Sequence, residues 1–297
     1  MEAGTLTEAA PRAKRSEWAR MLRRYCSHAL AVAGVLLVVL LVASALFAPA
    51  LAPHDPLAID TKARFLAPLE LATHPLGTDE LGRDTLSRLL YGGRVSLTVG
   101  IAAMLTTVLT GTLIGVVAGY YRGWIDAVLM RFVDTMLCFP QIFLLLVIAA
   151  FIPPTLWSIA LIIGLTSWME VARIVRAEVL HLREQDFVSA ARALGAGGAR
   201  IMGRELLPNI VGPVVVAATL KVASAVLIES YISFLGYGVQ PPLASWGNML
   251  TNAQSYFDTA PWLAVLPGLF VTLVVIGFNF MGDGLRDALD PRLTLEE

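Results

Sequence analysis

Charged residues are scarce in this sequence, and their scarcity indicates the class of protein. They make up 15% of the 297 residues, whereas 57% are hydrophobic, and soluble domains carry about 25% charged residues. The formal net charge of −1 gives the chain no general attraction to nucleic acid. The composition therefore predicts a protein embedded in membrane lipid that has no nucleic-acid partner.

Cysteine is nearly absent as well. Cys26 and Cys138 are the two in the chain, and they lie far apart. This arrangement does not indicate a disulfide framework. We expect two unpaired thiols that pack as small hydrophobic side chains.

The sequence also lacks the common catalytic motifs. It contains no GxSxG, no HExxH and no GxxxxGK[ST] phosphate loop. The four histidines show no spacing typical of metal ligands: His28, His54, His74 and His181. We therefore predict that the chain is not an enzyme, binds no cofactor or metal, and does not hydrolyse ATP through a phosphate loop.

Several charge-free apolar runs are long enough to cross a bilayer, whose core of roughly 30 Å needs about 20 helical residues. Pro153 and Pro154 divide one long run into two, and Pro140 and Pro267 should kink their helices. The turn-rich residues 236–257 are interpreted as a loop. We predict an all-α polytopic membrane protein with six transmembrane helices, near residues 29–51, 96–119, 128–151, 155–172, 211–235 and 262–282.

Lysine and arginine are concentrated on one side of these spans. Residues 1–28 and residues 173–210 hold six each. The segment 52–94, on the other side, holds five, which six acidic residues offset. Because loops rich in lysine and arginine stay in the cytoplasm, we expect both termini and the 173–210 segment to be cytoplasmic.

The external loops contain two recognisable features. Residues 83–91 are predicted to form a short helix along the outer membrane interface, with an Asp84–Arg88 pair, and to end at Gly92 and Gly93. In the second loop, Trp246 and Trp262 are expected to anchor the chain at the interface; the alternative is that they contact a partner.

Three glycines and two charged residues are notable inside the membrane. Gly111, Gly115 and Gly119 recur every fourth residue, which favours close helix packing. Lys221 and Glu229 lie eight residues apart in the fifth span, and an ionisable group at membrane depth is a candidate for the transport pathway. Alternatively, Lys221 pairs with a neighbouring helix, and Glu229, near the outer end, reaches toward the interface.

The cytoplasmic segment FVSAARALGAGGARIMGRELLP, residues 187–208, has the pattern of two short helices joined at glycines. Phe187, Ala190, Ala191 and Leu194 share one helical face. A second helix is predicted from Ala199 to Leu207. Such a hairpin suits a groove on a partner protein; the alternative, a hairpin lying on anionic lipid, fits poorly because the residues are small.

This segment resembles the EAA loop of ABC importer permeases. Ser189-Ala190-Ala191 is followed, after three residues, by Gly195 and, after nine more, by Glu205-Leu206-Leu207-Pro208. The family pattern has glutamate in place of Ser189 and isoleucine in place of Glu205. Three further stretches resemble the second permease subunit of the dipeptide, oligopeptide and nickel branch: HPLGTDELGRDTLSRLLYGGRVSL, ESYISFLGYGVQPPLASWGNML and MGDGLRDALDPRL.

The resemblance implies a function and a set of partners. The chain would form half of a transmembrane pathway for peptides in the bacterial plasma (inner) membrane, paired with a homologous permease subunit. An extracytoplasmic substrate-binding protein would deliver the substrate, and ATP and Mg would bind to two partner ATPase subunits, separate or fused. The residues that would couple to the ATPase are Phe187, Ala190, Ala191, Arg192, Leu194, Gly195, Leu207 and Pro208.

The domain boundaries follow from the same resemblance. Residues 1–94 would hold the cytoplasmic tail, the first span and an external loop; residues 95–283 the type-1 permease domain of ABC importers, with the coupling hairpin near 180–208; and residues 284–297 a second cytoplasmic tail. Two alternatives remain at this point. The same kind of complex would import nickel or another small solute, or the chain is a secondary transporter driven by an ion gradient.

Overall fold

The computed structural model describes residue 22, residues 24–251 and residues 253–289. These residues form helices and loops, without a named β-strand among them. The helices are α1 (Ala29–Leu46), α2 (Ala48–Leu51), α3 (Thr85–Tyr121), α4 (Gly123–Leu137), α5 (Gln141–Phe151), α6 (Leu156–Leu182), α7 (Asp186–Ala193), α8 (Gly198–Arg200), α9 (Val211–Phe234), α10 (Trp246–Thr251) and α11 (Trp262–Leu289).

Shorter turns complete the helical parts. A π-helical turn spans Ile201–Leu206, and 3₁₀ turns span Leu207–Asn209 and Ala253–Tyr256. Several basic residues that were predicted to be cytoplasmic lie outside the described residues: those before Leu22, Arg23 and Arg292.

Five of the helices are long and apolar enough to cross a membrane: α1, α3, α6, α9 and α11. The pair α4 and α5 supplies a sixth span if the two are counted together. The all-α fold with five or six spans is therefore confirmed. The first and fifth spans closely match their predicted ranges, whereas the second, third and fourth differ.

The second span is longer than predicted. The prediction of a separate interfacial helix over 83–91 is wrong, because α3 is one continuous helix of 37 residues. Gly92 and Gly93 do not end it. Both are buried against Trp246, and a Cβ atom on Gly93 would lie 2.9 Å from the Trp246 ring. These glycines admit an indole ring beside the helix.

The third span is broken. Residues 128–151 do not form a single helix, since α4 and α5 meet at an angle of 86° at Pro140. The sequence predicts a kinked but continuous helix at Pro140, whereas the structure has two separate helices there, nearly perpendicular to each other. By contrast, Pro267 lies inside α11, which continues through it to Leu289.

The fourth span continues ten residues past its predicted end, to Leu182. Its polar end is held to the amphipathic helix α4 by two ion pairs. Arg176 Nη2 donates to Asp126 Oδ2 over 2.6 Å, and Arg173 pairs with Asp134. Because these arginines bind carboxylates on a neighbouring helix, the chain stays helical where the apolar run stops.

The helices pack so that the two ends of the molecule are distinct. α3 lies along α6, α1 lies against α11, and α9 contacts both α3 and α11. At one end, Tyr25 Oη donates to the main-chain oxygen of Met281, and a cavity is lined by Glu178, Pro213 and Arg286. At the other end, the loop before α3 meets the loop before α11, where Trp262 Nε1 donates to the Thr78 oxygen.

Trp246 is not an interfacial anchor, contrary to the prediction. Its side chain is buried, and its Nε1 donates to the main-chain oxygen of Leu89 over 2.9 Å. The two cysteines also differ from expectation. Cys26 and Cys138 are unpaired, but both are exposed instead of packed.

Candidate coupling hairpin and buried polar sites

The hairpin after α6 turns at Gly195. The Ala196 N–H donates to the Ala191 oxygen, and the Gly195 N–H donates to the Arg192 oxygen, each over 3.0 Å. These two bonds form a Schellman motif, which requires a left-handed residue just after the helix. Gly195 supplies it with φ of +81°. Since nothing lies within 4 Å of a Cβ atom built there, the glycine is needed for its backbone conformation and not for space.

One side of the hairpin belongs to the core. Val188, Ile201, Leu206 and Ile210 are buried, and they form a cluster with valines of α3 and α6: Val116, Val175 and Val179. Ile201 and Leu206, in the segment predicted as the second hairpin helix, are therefore directed into the protein and are not available to a partner. The buried side of the hairpin is therefore packed against α3 and α6.

The other side of the hairpin is open. Phe187, Ala190, Arg192 and Leu194 are exposed, and the Leu194 side chain is 88% exposed. Ala191 and Leu207 are half-buried, while Gly195 and Pro208 are exposed. The predicted coupling residues thus include an apolar face on α7 that the described residues leave uncovered.

Ser189 stands where the family pattern has a glutamate, and an acidic residue lies nearby in the chain. Glu184 Oε1 accepts a bond of 2.9 Å from Arg122 Nη1, at the start of α4. Arg183 lies over the Tyr120 ring, 6.0 Å from its centroid. A Cβ atom on Gly198 would lie 3.0 Å from the same ring. These contacts connect the segment between α6 and α7, and the start of α8, to the end of α3 and the start of α4.

The glycine stripe lies where α3 meets α6. Cβ atoms on Gly111, Gly115 and Gly119 would each lie 2.6 to 2.8 Å from an atom of α6. The atoms met belong to Val171, Ala172, Val175 and Val179. Any side chain at these positions would push the two helices apart.

Lys221 is paired within the membrane part of the fold. Its Nζ donates to Glu170 Oε2 on α6. Glu170 was not singled out from the sequence, although it lies inside the predicted fourth span, two residues before its end. Its side chain is 66% exposed, whereas that of Lys221 is 16% exposed.

Glu229 does not reach toward the interface, contrary to one interpretation of the sequence. It is fully buried. Ser96 Oγ donates to its Oε2 over 2.9 Å, and Ser233 Oγ donates to its Oε1 over 2.7 Å. Ser96 Oγ also accepts a hydrogen bond from the main-chain N–H of Trp246. The carboxylate thus connects α9 to α3 and, through the Ser96 hydroxyl, to the start of α10.

A further polar group is formed by three residues whose association the sequence does not indicate. His54 and His74 stack with ring centroids 4.4 Å apart, beside Asp84, which caps α3 by accepting the Ser87 N–H. The predicted Asp84–Arg88 pair is absent, because Arg88 is directed to Asp79 at 3.5 Å. No sequence signal identifies this group, since its members are separated by loop residues without periodicity.

Comparison with known proteins places these features in a family. Residues 111–295 match the binding-protein-dependent transport system inner membrane component, and residues 16–68 match the N-terminal transmembrane domain of oligopeptide transport permease C. The first match alone covers more than half of the chain. It includes the glycine stripe, the hairpin and Glu229.

Curated relatives extend over nearly the whole chain. A dipeptide transport system permease protein of Alkalihalophilus pseudofirmus is 38% identical over 94% of this chain and 91% of its own length. A putative peptide permease protein of Brucella suis is 42% identical over 93% of this chain and 92% of its own. A di/tripeptide transport system permease protein of Pseudomonas aeruginosa is 42% identical over 89% and 88%.

A solved structure shares the fold. The inward-facing MetNI methionine ABC transporter has a chain that is 20% identical and superposes with a TM-score of 0.55, over 68% of this chain and 96% of its own. The apolar helices and the permease relatives indicate a multi-pass protein of the inner membrane. The chain belongs to the family of inner-membrane components of binding-protein-dependent transport systems, and it is therefore a permease subunit of an ABC importer and not an ATPase.

Proposed function

We propose that this chain is one of two permease subunits of an importer that takes up dipeptides and oligopeptides, and that its hairpin receives the movement of a partner ATPase. The observation that carries the proposal is the two-sided hairpin. Val188, Ile201 and Leu206 hold it to the core, while Phe187, Ala190 and Leu194 stay uncovered. A partner that pushes on the exposed face moves the transmembrane helices that hold the buried face.

The substrate class follows from the relatives. Those described above are named for dipeptide, di/tripeptide or peptide transport. Their names favour peptides over the nickel alternative. Membership of a binding-protein-dependent family also argues against a secondary transporter driven by an ion gradient.

The orientation is part of the same proposal. We place the hairpin, the start of α1 and the end of α11 in the cytoplasm, because arginine is concentrated at this end. The opposite end, with residues 52–84 and 236–261, faces the substrate-binding protein. ATP and Mg bind to the ATPase partners in this arrangement, and a homologous permease subunit completes the pathway.

Lys221 and Glu170 are the charged pair that we assign to the pathway side. The Glu170 side chain is largely exposed in the single subunit, and a charge directed at lipid tails is unfavourable. A second subunit or a water-filled pathway would cover it at lower cost. Glu229 has no exposed surface, so it serves here as an internal connection instead of a pathway residue.

A cysteine cross-linking experiment tests the coupling face. In a Cys26→Ser, Cys138→Ser background, Leu194→Cys should form a cross-link to an ATPase subunit in native membranes. Leu69→Cys is the matched control, because this leucine is 86% exposed and lies in the external loop. Equal cross-linking of both positions, or of neither, would contradict the assignment.

A transport assay tests the substrate class. The complex, reconstituted in liposomes with its binding protein, should accumulate a labelled dipeptide only when ATP is present on the hairpin side. Nickel uptake in place of peptide uptake would reject the substrate. Uptake driven by a proton or sodium gradient without ATP would reject the whole mechanism.

A further inference from the structure

Two histidines and one aspartate converge at the start of α3. Asp84 Oδ1 lies 3.0 Å from His74 Nδ1 and 3.9 Å from His54 Nδ1. The three residues each offer one ligand atom, and these atoms all lie within 4.8 Å of one another. Such separations are close to those between the ligands of a single metal ion.

The carboxylate of Asp84 needs a positive partner. It is fully buried, and a buried charge is usually paired or bound to a metal. Its Oδ2 accepts the Ser87 N–H and the Ser87 hydroxyl, over 2.8 and 2.7 Å. Among the described residues, the two histidines are the only basic side chains within 4.0 Å of it. No lysine or arginine therefore compensates its charge.

His54 has an unsatisfied nitrogen at the same place. Its Nδ1 is buried and has no hydrogen-bond partner within the described part of the chain. The 3.9 Å to Asp84 Oδ1 is too long for a hydrogen bond. Leaving a buried polar atom without a partner is unfavourable, and an ion between the two atoms would give His54 Nδ1 a partner.

Hydrogen bonds already hold these residues in position. Ser87 Oγ accepts the main-chain N–H of His54 over 3.1 Å and donates to Asp84 Oδ2. Oδ1 of Asp84 is thereby directed to the histidines, and His74 Nδ1 lies within hydrogen-bond distance of it. Metal ligands are commonly oriented by such outer hydrogen bonds.

We propose that His54, His74 and Asp84 bind one Zn²⁺ ion through the two Nδ1 atoms and Oδ1. Imidazole together with carboxylate suits zinc, whereas Mg²⁺ and Ca²⁺ prefer oxygen ligands. A water molecule supplies the fourth ligand from the side of His54, whose side chain is 37% exposed. The ion fastens two points of the external loop to the first turn of α3, a structural role that is independent of the transported substrate.

The test uses the full-length chain in detergent, with an affinity tag that lacks histidine and in the Cys26→Ser, Cys138→Ser background. Co²⁺ serves as the spectroscopic probe and Zn²⁺ as the competitor. We expect one Co²⁺ per chain, visible absorption of a four-coordinate site, and displacement by Zn²⁺. His54→Gln and His74→Gln should weaken binding by more than the roughly 10- to 100-fold that loss of an outer hydrogen-bond partner of a ligand causes. His28→Gln and His181→Gln are the matched controls and should bind like the parent chain.

Folding is followed separately. His54→Gln leaves both hydrogen bonds to Asp84 Oδ2 in place, so this variant should keep the parent Tm in EDTA and lose only the rise in Tm that Zn²⁺ produces. The proposal is overturned if the parent chain binds no stoichiometric Co²⁺, or if all four histidine variants bind it equally. Either outcome would mean that His74 and Asp84 form a hydrogen-bonded pair without a metal.

Discussion

Ser96 on α3 donates a hydrogen bond of 2.9 Å to Glu229 on α9, although the two residues are 133 positions apart in the chain. Ser233 donates to the other carboxylate oxygen. The contact is buried from end to end. It therefore acts as a polar connection between two membrane helices.

Replacing Glu229 with leucine should destabilise the fold. The change leaves the hydroxyls of Ser96 and Ser233 buried without their acceptor, and each such loss costs about 1–3 kcal/mol. We expect a lower Tm in detergent. Glu229→Gln, which keeps an acceptor oxygen, should lose less. A leucine variant as stable as the glutamine variant would show that the hydrogen bonds contribute nothing.

The contact between α3 and α6 should tolerate no side chain at Gly111. In Gly111→Ala, the new methyl group would lie 2.7 Å from Val171 Cβ and 2.8 Å from the Trp168 oxygen. Overpacking of this kind typically costs about 1–3 kcal/mol. Gly268→Ala is the control, because this glycine is also helical and has nothing within 4 Å. The Tm should fall for the first variant and stay unchanged or rise for the second.

Substitution at Gly195 should uncouple the complex. Valine disfavours the left-handed conformation that Gly195 adopts, and the strain amounts to roughly 1–2 kcal/mol. We expect Gly195→Val to reach the membrane and to abolish substrate-stimulated ATPase activity. Gly197→Val is the control, since Gly197 has φ of −70° and open space around it. Normal substrate-stimulated ATPase activity of Gly195→Val would show that the turn at Gly195 is not needed for coupling.

Two leucines of the hairpin should separate folding from coupling. Leu206 is fully buried, so Leu206→Ala should lower stability by about 2–5 kcal/mol. Leu194 is almost fully exposed, so Leu194→Ala should keep the parent Tm and reduce substrate-stimulated ATPase activity. The two measurements are Tm in detergent and ATPase activity of the reconstituted complex. If Leu194→Ala lowers the Tm as well, its side chain packs within the subunit.

The sequence predicts the spans well where apolar length alone decides, as in α1 and α9. The prediction fails where a contact with a residue distant in the chain decides the local structure. Gly92 and Gly93 resemble a helix end, yet they accept the ring of Trp246, which lies far along the chain. Arg173 resembles the start of a loop, yet Asp134 holds it in a helix.

The hairpin is likewise predictable only where local sequence decides its structure. The turn at Gly195 and the exposed face of Leu194 follow from local spacing. The inward direction of Ile201 and Leu206 depends on the valines that they contact in α3 and α6, and no local pattern identifies these. The group of His54, His74 and Asp84 is not predictable at all, because irregular loops bring its members together.

The uninterrupted helix α3 has a mechanical consequence. Its 37 residues correspond to a rod of about 55 Å at 1.5 Å per residue, nearly twice the hydrocarbon thickness of a bilayer. Asp84 caps one tip, and Tyr120, at the other, touches the hairpin. Because the helix is unbroken between its tips, a tilt imposed at one tip moves the other, so the outer loop and the hairpin are mechanically connected.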